Sequence, residues 1–218
     1  MSNKRRLTKE QIIQNLMKNS KPKTGHCCRF DKQEIETLYD VFKCLCAKQQ
    51  KPRLDRLCFR EILHNKFDLT EDIIMDRIFR AFDKDNDGVL SDEEWIYGLA
   101  TFLKGELEEK IQYCFMVYDL NADGYISREE MFHLLKNSQV KHTSEDDPDE
   151  GVKELVEIAL KKLDVDHDGR CSLDDFRSAV QTDNLLLEAL GPCLPPSCRR
   201  NNFLQLVKGN LVNQIVGD

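Results

Sequence analysis

Asp83-Lys-Asp-Asn-Asp-Gly-Val-Leu-Ser-Asp-Glu-Glu94 lies between two apolar stretches of helical period, and its reading decides the fold. The twelve residues put carboxylates at positions 1, 3, 5 and 12, a glycine at 6 and a serine at 9. A hard divalent cation takes about six to eight oxygen ligands, and a short loop wraps it only if alternate residues point inward and one position takes a positive φ. Asp83, Asp85 and Asp87 supply the inward carboxylates, Gly88 the turn, Val89 a backbone carbonyl, and Glu94 reaches back with both oxygens. The competing reading of one such stretch is an acidic surface turn, so recurrence has to decide.

The pattern returns as Asp119-Leu-Asn-Ala-Asp-Gly-Tyr-Ile-Ser-Arg-Glu-Glu130 and as Asp164-Val-Asp-His-Asp-Gly-Arg-Cys-Ser-Leu-Asp-Asp175. The predicted ligands there are Asp119, Asn121, Asp123, Tyr125 and Glu130, then Asp164, Asp166, Asp168, Arg170 and Asp175, with Tyr125 and Arg170 contributing carbonyls. A degenerate copy spans residues 47–58: with Leu54 laid on Leu90, Ala47, Gln49, Lys51 and Cys58 fall at the ligand positions and Pro52 replaces the glycine. The loops start at 47, 83, 119 and 164, so one helix-loop-helix unit, the EF-hand, is used four times. The first copy keeps the frame and loses the ligands. Asp175 is one methylene shorter than glutamate, which predicts the weakest calcium binding, or a preference for Mg2+, at the 164–175 loop. His167, at position 4, is expected to face solvent, because hard cations prefer oxygen.

The apolar periodicity supplies the helices around these loops. Thr8 with Gln11 and Asp31 with Glu34 read as capping boxes, Thr70 as the cap of the helix entering the 83–94 loop, and Ser91 with Glu94 as the box of the helix leaving it. The expected fold is all-α: two EF-hand lobes over 27–104 and 105–182, with short β bridges that set Leu54 against Leu90 and Ile126 against Cys171. An N-terminal helix and linker precede them over 1–26, and a C-terminal helix and tail follow over 183–218. Gly105 is the candidate hinge. Since the 83–94 loop pairs with the silent one, calcium there is expected to move the N-terminal lobe alone. In the tail, Leu185 to Leu190 reads as a short helix, and Phe203, Leu204, Val207, Leu211 and Ile215 recur at helical spacing around Gly209, a stripe suited to covering an apolar groove.

Composition excludes several classes. A net charge of −7 over 218 residues argues against nucleic-acid and anionic-membrane binders, and three bound divalent cations would bring it close to neutrality. Nine cysteines without a Cys-x-x-Cys pair or an apolar leader read as reduced thiols of a cytoplasmic protein, and His26, Cys27 and Cys28 are too close in sequence to share one tetrahedral zinc. No apolar run approaches the ~18 residues of a membrane span, and Ser2 replaces the glycine that myristoylation needs, so no membrane anchor is expected. A monomer is expected. The Lys4-Arg5-Arg6 cluster reads as a solvated start, and the acidic run Ser144 to Glu150 as a solvated loop in which Thr143 or Ser144 is a candidate phosphorylation switch. No nucleophile with an adjacent base and no phosphate-binding loop is visible, so no enzyme is expected.

From about residue 30 to 196 the chain is similar to the calaxins, EF-hand proteins of ciliary and flagellar axonemes related to the neuronal calcium sensors. The resemblance rests on Asp83 to Gly88 with Glu94-Trp-Ile96, Tyr118 to Gly124 with Glu129-Glu-Met-Phe-His133, Ser144 to Gly151, and Leu185 to Pro195. The silent first loop with its proline is shared with the neuronal sensors, although Lys51 stands where those carry cysteine. The resemblance implies a calcium sensor of the cilium or flagellum axoneme that contacts outer-arm dynein heavy chain and tubulin and adjusts beating. A cytosolic calcium buffer, or a sensor for a non-axonemal partner, is the alternative.

Overall fold

The computed structural model describes residues 8–18, 29–138 and 148–217. The basic cluster at 4–6, the linker, the His26-Cys27-Cys28 group and Thr143 with Ser144 lie outside the described residues.

Helix α1 (Lys9–Lys18) lays Ile13 and Leu16 on α2 (Lys32–Lys48). Thr8 and Gln11 exchange the reciprocal hydrogen bonds of a capping box, and so do Asp31 and Glu34 at the start of α2. The first hand continues through β1 (Leu54–Asp55) into α3 (Arg56–Phe67). The second is α4 (Asp72–Phe82), β2 (Val89–Leu90) and α5 (Asp92–Lys104). Thr70 is exposed and does not cap α4: Glu71 holds the cap position without a side-chain bond, so this helix start rests on the buried face of Ile74, Met75, Ile78, Phe79 and Phe82. The third hand is α6 (Leu107–Tyr118), β3 (Tyr125–Ile126) and α7 (Arg128–Ser138), and the fourth is α8 (Pro148–Leu163), β4 (Cys171–Ser172) and α9 (Leu173–Thr182).

The two-residue strands pair antiparallel within each pair of hands, Leu54 opposite Leu90 and Ile126 opposite Cys171. All four are buried, so each bridge fixes loop register from inside the core. Trp95, Phe59, Phe79 and Phe82 form an aromatic cluster, extended through Phe102 to Tyr113 across the junction at Gly105. The apolar core is therefore continuous from α1 to the tail. Leu57, in the first turn of α3, is 71% exposed.

After α9 the chain makes a 3-10 turn (Asn184–Glu188) rather than an α-helix, with Leu185 in solvent and Leu190 buried. The tail is two helices, α10 (Ser197–Lys208) and α11 (Val212–Val216), not one stripe. Gly209 caps α10 and Asn210 takes φ 54°, which turns the chain; Leu211 is left half-exposed while Phe203, Val207 and Ile215 are buried. The tail lies against the N-terminal hands. Phe203 packs on Phe67 with ring centroids 5.0 Å apart, and α11 runs along α2. Lys66 donates to the Gln214 carbonyl at 2.9 Å and Arg199 pairs with Asp68. Among the described residues no helix is long and apolar enough to cross a membrane.

Candidate metal centre

Each of the three acidic loops follows its entering helix with an aspartate at position 1 that is almost wholly buried: Asp83, Asp119 and Asp164. Burial alone would penalise these charges. Their oxygens accept the backbone N–H groups of positions 5 and 6, at 3.2 and 2.9 Å in all three loops, so the chain folds around the carboxylate. Position 4 takes a left-handed turn in every copy: Asn86, Ala122 and His167, and also Gln50 of the silent loop, have φ between 55° and 62°. Position 6 is left-handed only where glycine occupies it, at Gly88, Gly124 and Gly169; Pro52 cannot adopt that conformation. Exposed His167 serves this turn and faces solvent.

The carboxylate oxygens of Asp83, Asp85 and Asp87 lie within 4.8 Å of one another, as do those of Asp164, Asp166 and Asp168. Like charges this close repel unless a cation stands among them. Burial raises the Asp83 carboxyl above its ordinary pKa, the amides of Gly88 and Asp87 oppose that, and the charges of Glu94 and Asp87 reinforce it. In the middle loop Asn121 replaces one carboxylate; its Oδ1 accepts the Asp123 N–H and its Nδ2 donates to Asp123 Oδ2, both at 2.9 Å. Val89 and Tyr125 open strands β2 and β3, and Arg170 immediately precedes β4, its guanidinium 4.0 Å from the centre of the Tyr125 ring.

The position-12 residues close the loops. Glu94 Oε1 accepts the N–H groups of Lys84 and Asp85 at 2.8 and 3.3 Å, and its Oε2 accepts Ser91 N–H and Oγ–H at 2.9 and 2.7 Å. Glu130 repeats this with Leu120, Asn121 and Ser127. Asp175, despite its shorter side chain, engages Ser172 at 2.5 and 3.0 Å and the amides of Asp166 and Val165. Each position-12 residue is thus also the third residue of the exiting helix, boxed with the serine at position 9. In the silent loop Asp55 caps α3 in the same place, while Lys51 holds its carboxylate at 2.5 Å and Cys58 stands at position 12. The frame is kept and the donor set is gone.

Two contacts escaped the reading of the sequence. Arg53 of the silent loop pairs with Asp87 of the live one, and Arg77 of α4 reaches the backbone at the start of the 119–130 loop. Neither follows from spacing, since each joins residues more than thirty positions apart.

Oxygen-rich loops with buried first aspartates, paired through two-residue bridges, define an EF-hand calcium-binding protein. Family models agree: an EF-hand domain pair matches residues 108–181 and an EF hand domain residues 74–102. The chain is 58% identical to Calaxin of Xenopus laevis over 187 residues, 84% of this chain and 90% of the relative. It is 56% identical to Calaxin of Homo sapiens over 176 residues, 79% and 83% of the two chains, and 52% identical to Calaxin of Danio rerio over 189 residues, 85% and 89%. The chain belongs to the calaxin family of EF-hand calcium sensors.

Proposed function

We propose that this chain is a calcium-switched regulatory subunit of outer-arm dynein in cilia and flagella, where it contacts dynein heavy chain and tubulin and adjusts beating. Membership of a family with that expected role supports the axonemal setting. The observation that carries the switch is the double duty of Glu94 and Glu130: each closes its loop and caps its exiting helix. Bound calcium supplies a double positive charge that gathers oxygens. Asp83, Asp85, Asp87 and Glu94 would hold one ion, Asp119, Asn121, Asp123 and Glu130 a second, and Asp164, Asp166, Asp168 and Asp175 a third, completed by the carbonyls of Val89, Tyr125 and Arg170. Drawing Glu94 inward turns the first residues of α5, and Trp95 and Leu99 on that helix line the core that the tail covers. An opened N-terminal groove that releases Phe203 and Ile215 is then able to receive an apolar helix of a partner.

The 164–175 loop is assigned the greatest share of Mg2+, because a single short carboxylate at position 12 suits the smaller ion. Asp175→Glu should raise its calcium preference, and an unchanged Mg2+ competition would remove that assignment. The role itself is tested by capture from axoneme extract with the full chain as bait, with calcium and with chelator. Retention of a dynein heavy chain that changes with calcium supports the proposal; equal retention, or none, rejects it.

A further inference from the structure

Arg77 lies midway along α4, the helix that enters the 83–94 loop, yet its guanidinium is committed to the other pair of hands. Nη2 donates to the carbonyls of Met116, at 2.9 Å, and Asp119; Nε donates to Val117 at 3.2 Å and Nη1 to Leu120 at 3.0 Å. These are the last turn of α6 and the first two residues of the 119–130 loop. A helix leaves its final carbonyls unsatisfied and carries partial negative charge there, and the planar fork of arginine suits several at once. Burial lowers the pKa of this half-buried group and Arg80 adds to that, while the charges of Asp119 and Glu130 favour its protonated form. The same turn of α6 is touched by the 83–94 loop: Lys84 Nζ lies 3.8 Å from Met116 Sδ, and the Lys84 backbone N–H is held by Glu94.

We infer that the sites at 83–94 and 119–130 are energetically coupled across the junction at Gly105, with Arg77 as the positioning residue that carries the coupling. The chain's own backbone explains how. When closure of the 83–94 loop changes the angle between α4 and α5, Arg77 either drags the carbonyl of Asp119 with it or gives up hydrogen bonds to that residue, whose side chain is the first ligand of the next site. With that coupling the two lobes do not titrate as independent bodies, and calcium at 83–94 acts beyond the N-terminal lobe. This inference rests on the loops binding calcium and requires no partner.

The test is a calcium titration of the full chain followed by NMR at the amides of Gly88 and Gly124, each of which donates to the first aspartate of its own loop at 2.9 Å. Four chains are compared: the parent, Glu94→Gln, Arg77→Ala and the double variant. Glu94→Gln is expected to shift the calcium midpoint at Gly124 by about fivefold or more in the parent and by less than about twofold in the Arg77→Ala background. An equal shift in both backgrounds, or none in the parent, overturns the inference. Arg77→Lys keeps the charge and loses the fork, and it carries the comparison if the alanine chain does not fold; full coupling in the lysine chain also overturns the inference. A parent chain in which neither glycine responds would overturn calcium binding and the coupling together.

Discussion

Arg53, in the degenerate loop, is ion-paired with Asp87, the fifth residue of the acidic loop it bridges to. The degenerate loop thus holds a carboxylate of its neighbour as well as bridging to it. Both side chains are partly exposed, so the pair contributes about 0.5 kcal/mol. A cation at 83–94 competes with Arg53 for Asp87 and is repelled by its charge. Arg53→Ala should therefore tighten calcium at that loop by about two- to fivefold at low salt, with the gain shrinking as salt rises. Isothermal titration at two salt concentrations measures this, and weaker binding in the variant would assign Arg53 a purely structural role.

Phe203 is 2% exposed and packs at a tilt on Phe67 of α3, which in turn meets Phe102 of α5 at 5.2 Å. Truncating a buried phenylalanine costs about 3 to 5 kcal/mol, comparable to the docking energy of a short segment. Phe203→Ala should release α10 and α11 without unfolding the hands. Binding of an apolar dye in the absence of calcium should rise and amide protection at Val207 should fall. If both match the parent, the tail is not held by this contact.

Gly98 faces Phe82, the residue immediately before Asp83, so closely that a Cβ there would stand 2.2 Å from the ring. The ring is itself packed among Phe59 and Phe102 and has little room to retreat. Gly98→Ala is expected to cost about 2 kcal/mol of stability through overpacking. Urea unfolding of the calcium-free chain reads it directly, and an unaltered midpoint would mean that α5 shifts freely against α4.

The four loops were legible because cation chemistry fixes residue types at fixed positions, and because Leu54, Leu90, Ile126 and Cys171 recur at one position in each copy. That recurrence also predicted the cross-bridge register that the structure has. Capping boxes at Thr8, Asp31 and Ser91 were legible for the same reason: donor and acceptor lie three residues apart. Thr70 misled because a good capping residue stands one position before the residue that holds the cap. The tail stripe misled because Phe203 and Ile215 share a face only after the turn at Gly209 and Asn210, a conformation that periodicity does not encode. Arg77 was invisible because its partners are backbone carbonyls, which every residue has; only the fold states which ones are near. Glu34 caps α2 and, buried itself, also holds the half-buried Lys104 of α5 at 2.6 Å, a long-range pair that spacing does not encode.

Trp95 is the chain's single tryptophan, follows Glu94 at the end of the 83–94 loop, and is buried with its indole N–H donating to the Leu38 carbonyl of α2 at 3.2 Å. It therefore reports whether filling the loop moves the helix, which separates a sensor from a buffer. Its emission should be recorded during a calcium titration in which bound ions are counted by equilibrium dialysis. Trp95 emission is expected to shift, to saturate with the 83–94 site, and to lose that shift in Glu94→Gln. Full sites with an unchanged spectrum would contradict it, and the chain would then be a calcium buffer.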